Sequence, residues 1–319
     1  MSGNERRTSA AGLVLRTFVA MVALAGGLSA ARAQEIEPRE FVPAPSGTNL
    51  NMFYYLHGSN TSYYTTTGHK ISNSNLDVNL GLERFVHYQN VGNMPAGVQI
   101  LQLFGSGSGG RVGGSSLGST FGAANTALSA FIWPYANPAL NQYLVVAGFL
   151  YPPVGSYDKR QSLNLASNLS GWQGWTGDLQ IGWDQGIGPN FSYDASLDFR
   201  FFGDTTGPIQ PTIPLSVRNH KNSDLRAQLW LNWAWTRAFS TSIGYEGFFG
   251  GESYFDNPIQ LGGRGHTNTG ASREHRLRAA ASMFLSPQFQ LLLEGNHDIA
   301  RGGGFKQQFG LVLRTLYIF

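Results

Sequence analysis

The chain lacks cysteine and has no long apolar run outside its first residues. No cysteine occurs among its 319 residues, which excludes disulfides, thiolate catalysis, cysteine-ligated zinc and iron–sulfur clusters. Beyond residue 33 the sequence contains no stretch of 18 apolar residues, which is about the length that a transmembrane helix needs. His69, His266 and His275 show no metal-ligand spacing. We therefore predict neither a metal nor a cofactor.

The first 33 residues have the three parts of a secretory signal. Three arginines precede an apolar run at 17–30, and Ala31-Arg32-Ala33 follows, which predicts cleavage after Ala33. This leader holds four Arg and one Glu, so the remaining residues carry equal numbers of basic and acidic side chains. A neutral mature chain offers no electrostatic reason to bind nucleic acid.

The chain is rich in glycine and aromatic residues, and apolar and polar residues alternate along several of its segments. Gly accounts for 41 residues and aromatics for 13%. From Phe305 to Phe319, apolar and polar side chains alternate with period two, and 191–201 and 225–235 repeat the pattern, which is typical of strands. Shorter or weaker strands are predicted at 50–58, 76–83, 97–104, 120–133, 143–151, 178–184, 242–249, 275–285 and 289–296. The fold class predicted is all-β, a transmembrane antiparallel β-barrel of about 12 strands.

The predicted connections alternate between short and long, as periplasmic turns and extracellular loops do. Short ones lie near 90–95, 137–141, 186–190, 237–241 and 286–288; long ones are Gly105–Gly118, 152–171, 203–223 and 250–273. An even strand number places both ends in the periplasm. The terminal Phe319 resembles the signal read by the barrel-insertion machinery. We expect that machinery and outer-membrane lipid as partners, in the bacterial outer membrane.

If the apolar faces contact lipid, the opposite faces line the lumen. The predicted luminal charges are Asp77, Glu83, Asp178, Asp194, Asp198, Arg200, Arg226, Arg276, Arg278, Glu294, Asp298 and Arg314. They either form a network that fills a small barrel or a constriction that selects solutes. Aromatic residues interrupt this lining at Phe53, Tyr55, Phe202, Trp230 and Phe248. These either contact an apolar solute or pack against one another.

One segment is similar to a catalytic motif. His57-Gly58-Ser59-Asn60 resembles the His-x-Ser-Asn segment of outer-membrane phospholipases and lipid A deacylases, in which the His activates the Ser. Such enzymes attack lipid and need these side chains on the outer surface. The alternation predicts Leu50, Met52, Tyr54 and Leu56 outward, and His57 and Ser59 inward. No enzymatic activity is therefore expected.

Three stretches resemble the family described for the meta-pathway of phenol degradation, which consists of outer-membrane barrels. The first is Glu37-Pro38-Arg39 with Pro45-Ser46-Gly47-Thr48-Asn49. The second is Pro153-Val154-Gly155-Ser156-Tyr157-Asp158 with Asn164 and Asn168, and the third is Phe201-Phe202-Gly203-Asp204, followed by Gly244-Tyr245 and Gly250-Gly251. The resemblance implies passage of small hydrophobic or aromatic compounds across the outer membrane. It does not imply that this protein degrades phenol.

The sequence thus divides into a signal peptide (1–33), a Pro-rich periplasmic tail or plug (34–47) and a barrel (48–319). We expect a channel for small hydrophobic solutes. A structural or adhesive barrel with a plugged lumen is the alternative, since the sequence does not show whether the lumen conducts.

Overall fold

The computed structural model describes residues 35–156, 169, 172–210, 213–256, 266–268 and 270–319. These residues form strands and no helix, so none of them belongs to a helix that could cross a membrane. The predicted signal peptide lies outside the described residues. Twelve long antiparallel strands form one sheet: β1 (Asn49–Tyr64), β3 (Asn75–Val91), β4 (Met94–Val112), β6 (Ala127–Asn137), β7 (Gln142–Tyr151), β8 (Thr176–Ile187), β9 (Phe191–Phe202), β12 (Asp224–Ala234), β13 (Phe239–Gly250), β16 (Ser272–Ser286), β17 (Phe289–Gly302) and β18 (Gly304–Ile318).

The sheet closes on itself. The last strand, β18, pairs with the first, β1, from Leu50 opposite Ile318 to Tyr64 opposite Gly304. Closure removes the exposed edges that an open sheet would present. The predicted twelve-stranded antiparallel barrel is confirmed.

The two ends of the barrel differ. Short turns at 92–93, 138–141, 188–190, 235–238 and 287–288 define what we call the turn end, and the opposite end is the loop end. All the predicted short connections fall at the turn end. At the loop end the hairpin between β17 and β18 turns at Gly303, whose φ of 74° favours glycine.

The predicted loop Gly105–Gly118 is wrong, because most of it is strand. β4 continues to Val112 and pairs with β5 (Ser115–Ala123) beyond the barrel. The segment is rich in Gly and Ser and has no apolar alternation, so the sequence favoured a loop. Backbone pairing along a hairpin does not require apolar side chains.

The remaining loops build a second sheet at the loop end. Its four strands are β10 (Thr205–Gln210), β11 (Ile213–Lys221), β14 (Ser253–Asp256) and β15 (His266–Asn268), and the two-residue β2 (Lys70–Ile71) pairs with β1. Two predicted long loops, 203–223 and 250–273, therefore contain paired strands. This sheet brings Lys221 to the mouth of the barrel.

Candidate functional site

One side of the lumen is lined by charged and amide side chains. We call it the polar wall; its strands, in sheet order, are β17, β16, β13, β12, β9 and β8. It consists of Asp178, Gln180, Asp184, Asp194, Asp198, Arg200, Asp224, Arg226, Gln228, Glu246, Glu274, Arg276, Arg278, Glu294, Asn296 and Asp298, all buried. Nine of the predicted luminal charges belong to it. The tenth, Arg314, points inward from the neighbouring β18.

Ion pairs connect the strands of the polar wall. Arg278 Nε and Nη2 lie 2.9 and 2.8 Å from the Glu294 carboxylate. Arg200 donates to both oxygens of Asp224, at 2.6 and 2.7 Å. Forked pairs of this kind are strong and directional. They fix the spacing of neighbouring strands on this side of the barrel.

The opposite side of the lumen is apolar, and we call it the apolar wall. It runs over β7, β6, β4, β3, β1 and β18. Its inward side chains are Met52, Tyr54, Leu56, Leu76, Val78, Leu80, Leu82, Val86, Leu101, Leu103, Phe131, Trp133, Tyr143, Val145, Phe149, Val312 and Leu316. The lumen is therefore two-sided: charged and amide side chains line one half of its circumference, and mainly apolar side chains line the other, with Arg84, Gln99 and Arg314 among them.

Four predicted luminal residues are placed on the wrong face. Phe53 and Tyr55 are 46% and 41% exposed and point outward from β1. Asp77 and Glu83 also point outward, because Leu76, Val78 and Leu82 fill the inner positions of β3. The same correction applies to the outward prediction for Met52, Tyr54 and Leu56, which are buried inside.

The reason is that both faces of β1 carry apolar or aromatic groups. Alternation identifies two faces but does not say which one meets lipid. Here the lumen is not empty: Ile36 and Phe41, from the segment before β1, pack against the apolar wall. A filled interior makes an inward apolar face favourable.

The segment 35–47, which we call the N-terminal segment, lies within the lumen. On the polar wall, Glu35 lies 3.0 Å from Arg276, and the Ile36 backbone N–H donates to Gln228 at 3.0 Å. The Arg39 guanidinium lies 3.0 Å from the Asp184 carboxylate. These contacts hold the segment along several strands of the polar wall.

The same segment also contacts the apolar wall. The Trp133 indole N–H donates to the Phe41 carbonyl at 2.7 Å, while the Phe41 ring lies against Gly182 on β8 of the polar wall, where a Cβ would meet the ring at 2.5 Å. Glu40 pairs with Arg84 on β3 at 2.5 Å. The N-terminal segment therefore bridges the two walls.

Trp230, a predicted solute contact, is fully buried and bonded to this segment. Its indole N–H donates to the Ile36 carbonyl at 2.9 Å. The Arg278 guanidinium lies 4.5 Å from the centre of its ring, a cation–π distance. Trp230 thus faces the lumen, but it packs against the N-terminal segment and against the Arg278 guanidinium that pairs with Glu294.

Glu37 is an acidic group that the sequence reasoning missed. It is 3% exposed, and burial, followed by the nearby Glu294 carboxylate, raises the pKa of Glu37 to about 8. The Arg278 and Arg314 guanidinium groups oppose this rise. No periodicity could have placed Glu37 in the lumen, because it precedes the first strand.

At the loop end, aromatic rings and cations meet. Phe202 lies under the Lys221 ammonium at 4.2 Å and near the Arg200 guanidinium at 5.5 Å. Phe248 contacts Arg200 at 5.6 Å. Burial lowers the pKa of the Lys221 ammonium to about 8. Phe202 and Phe248 therefore face the lumen, as predicted, at its outer mouth.

At the turn end, a cavity of about 530 Å³ opens between the walls. Arg39 and Glu40 of the N-terminal segment line it, together with Met52, Tyr88 and Phe191. Its size suits a small molecule. Among the described residues, no group of three or more His, Cys, Asp or Glu side chains is arranged to hold a metal ion.

A closed antiparallel barrel whose strands are long enough to cross a bilayer, with an apolar outer face and a partly charged lumen, is an outer-membrane β-barrel. The sequence profile of the family described as "Putative MetA-pathway of phenol degradation" matches residues 59–314. The chain belongs to this family, which confirms the resemblance noted in the sequence. No curated protein sequence matches the chain.

An outer membrane channel from Pseudomonas putida F1 has the same fold, with 26% identity and a TM-score of 0.78, over 89% of this chain and 100% of that one. A TodX monoaromatic hydrocarbon channel mutant has 10% identity and a TM-score of 0.48, over 86% and 90%. The transport unit of the autotransporter AIDA-I from Escherichia coli has 10% and 0.49, over 95% and 98%.

Proposed function

We propose that the protein is an outer-membrane channel for small hydrophobic or aromatic compounds. The observation that supports this most is the apolar wall, which extends inside the barrel from Leu76 near the loop end to Leu316 near the turn end. A water-filled pore gains nothing from such a lining, whereas an apolar solute is stabilised by it. The structural likeness to the Pseudomonas putida channel supports the same role.

We propose further that the N-terminal segment acts as a plug. It fills the gap between the walls through its contacts with Gln228, Trp133 and Arg84. The domain division is then an export signal (1–33), a plug (34–47) and a barrel (48–319). The luminal ion pairs would serve chiefly to fix the polar wall and the plug, and Phe202 and Phe248 would receive the solute at the outer mouth.

Planar bilayer recording tests the channel. The folded protein should show discrete openings, and phenol or a simple aromatic acid on one side should block them. Val78→Asp, which places a charge on the apolar wall, should abolish the block. Gln180→Glu, which adds a carboxylate to the polar wall, is the matched control and should retain it.

A silent membrane from folded protein would contradict the proposal. It would favour the alternative, a structural or adhesive barrel with a plugged lumen. Openings that Val78→Asp and Gln180→Glu alter equally would show conduction without a role for the apolar wall.

A further inference from the structure

Polar side chains lie together on the outer surface of β1 and β3. We call these the outer polar cluster: Tyr55, His57, Ser59, Asp77 and Asn79. On other strands the lipid-facing positions hold residues such as Leu179, Leu197 and Leu229. Polar and charged groups facing lipid are costly and tend to be functional.

The strand register shows that the His57-Gly58-Ser59-Asn60 motif presents His57 and Ser59 to the outside of the barrel, contrary to the prediction from the sequence. Gly58 and Asn60 are buried inside the barrel, so the residues between and before them, Ser59 and His57, point outward. The predicted inward placement of His57 and Ser59 is wrong, for the same reason as for Tyr55. The motif therefore faces the side from which lipid is reached.

His57 is held by its neighbour on β3. Its Nδ1 lies 2.9 Å from Asn79 Oδ1, and Asn79 stands directly opposite it in the sheet. A carboxamide oxygen only accepts, so Nδ1 carries the proton and Nε2 keeps its lone pair. The Tyr55 hydroxyl donates to the same oxygen at 2.8 Å. Asn79 is therefore fixed by two donors, and His57 has the tautomer of a general base.

Ser59 lies two residues further along the same face. Successive same-face residues are about 6.6 Å apart along a strand, a gap that an imidazole and a hydroxyl can span. The β1–β18 register shifts between Ser59 and Asn60, and Gln308 is passed over between Phe309 and Gln307. Such bulges leave backbone groups outside the ladder and occur next to active sites.

The depth of Ser59 fits an ester. Asn51 pairs with Tyr317 at the turn end, and Ser59 pairs with Phe309, eight residues further. With strands tilted about 40°, this is about 20 Å along a lipid-facing band of about 25 Å. If the turn end faces the periplasm, Ser59 lies at the headgroup side of the outer leaflet, where acyl chains are esterified.

We propose that Ser59, His57 and Asn79 form a hydrolytic site for fatty-acyl esters in the outer leaflet. Ser59 Oγ attacks the ester carbonyl carbon while its proton passes to His57 Nε2. The carbonyl–alkoxy bond breaks, and the alkoxy oxygen leaves with that proton as an alcohol. Water then attacks the acyl-serine, gives one proton to His57, and releases the fatty acid as the proton returns to Ser59. Asn79 is a positioning residue.

The charge of the cluster favours one lipid class. Asp77 stands directly opposite Ser59, so a carboxylate lies beside the hydroxyl. This anion suits an ammonium headgroup and repels a phosphorylated sugar. A glycerophospholipid such as phosphatidylethanolamine is the expected substrate, and a lipid A type acyl sugar is the other source of the same ester.

The test uses the purified full chain in detergent micelles, with phosphatidylethanolamine carrying a fluorogenic acyl ester in one arm and lipid A in the other. We expect fatty acid release in the first arm. A fluorophosphonate probe should label Ser59, as located by mass spectrometry.

The variants separate chemistry from folding. Ser59→Ala and His57→Ala should lower the rate at least 100-fold. Asn79→Ala should lower it about tenfold, with Asn79→Asp restoring it, since a carboxylate also orients the imidazole. Thr61→Ala, a hydroxyl on the same outer face, is the matched control and should keep the rate. Folding is checked by the mobility of the unboiled barrel on a gel.

Two results would overturn the proposal. One is the absence of both hydrolysis and fluorophosphonate labelling in folded wild type. The other is a rate that Ser59→Ala leaves equal to that of Thr61→Ala, which would assign the hydrolysis to a contaminant. Release in the lipid A arm alone would keep the site and correct the substrate class.

Discussion

The two walls of the lumen are stabilised in different ways. The polar wall depends on paired charges that are almost completely withdrawn from water, such as Arg278 with Glu294. The apolar wall depends on packing among side chains such as Leu80, Leu103 and Phe131. A charge that loses its partner keeps its desolvation cost, whereas a truncated side chain leaves only a cavity. The polar wall should therefore tolerate single substitutions less well.

The largest effect is expected from Arg278→Met. It leaves Glu294 buried without its partner and should lower the free energy of unfolding by about 3 to 5 kcal/mol. Urea unfolding followed by tryptophan fluorescence measures the loss. The double variant Arg278→Met with Glu294→Leu should recover part of it, because Glu294 is no longer left as a buried carboxylate without its partner. A loss below about 1 kcal/mol in the single variant would contradict this account of the wall.

Leu80→Ala should lower the free energy of unfolding by less than Arg278→Met does, or at most by the same amount. Leu80 is buried in the apolar wall opposite Leu56, and the cavity should lower the free energy of unfolding by about 2 to 5 kcal/mol. Leu313→Ala, on the outer face, is the control. Lipid chains fill the space there, so its loss should be smaller. Equal losses at the two positions would show that the apolar wall is not tightly packed.

The binding of the N-terminal segment between the two walls should depend on pH through the protonation of Glu37. Its pKa rises from an ordinary 4.5 to about 8 in the lumen, so the bound segment favours the protonated form. The protonated Glu37 stabilises the bound segment fully below about pH 4.5, and this stabilisation is lost as pH rises to about 8. Over this range the equilibrium constant for binding of the segment falls by up to about tenfold per pH unit.

Trypsin cleavage after Arg39 measures release of the segment. Cleavage should accelerate between pH 6 and pH 8 in the wild type. Glu37→Gln corrects for the protease's own pH dependence, because its segment has no such proton to lose. Parallel pH profiles for the two proteins would contradict a role for Glu37.

The smallest effect is expected at the outer mouth. Lys221 is charged below its pKa of about 8 and neutral above it, so the ratio of anion to cation permeability of the open channel should fall as pH rises through 8. Lys221→Gln should remove this step and change the conductance less than about twofold. Reversal potentials in a salt gradient provide the measurement, and a step that persists in Lys221→Gln would assign it to another group.

Much of the barrel could be predicted from the sequence. The strands at 191–201, 225–235 and 305–319 alternate strongly, and the inward placement of Asp194, Arg200 and Arg226 followed directly. The strands near 50–58 and 76–83 also alternate, yet their faces were reversed. Both of their sides can be buried, one by lipid and one by the filled lumen, so hydrophobicity alone does not orient them.

The amino-acid sequence by itself determined the class of fold, the number of strands, the positions of the short turns, and the polar wall. These follow from local periodicity and from turn residues, which act over a few positions of the chain. Only the tertiary structure decided that the N-terminal segment lies in the lumen and that His57 and Ser59 face outward. Those features depend on contacts such as Ile36 with Gln228, between residues far apart in the chain, and closure of the sheet alone brings such residues together.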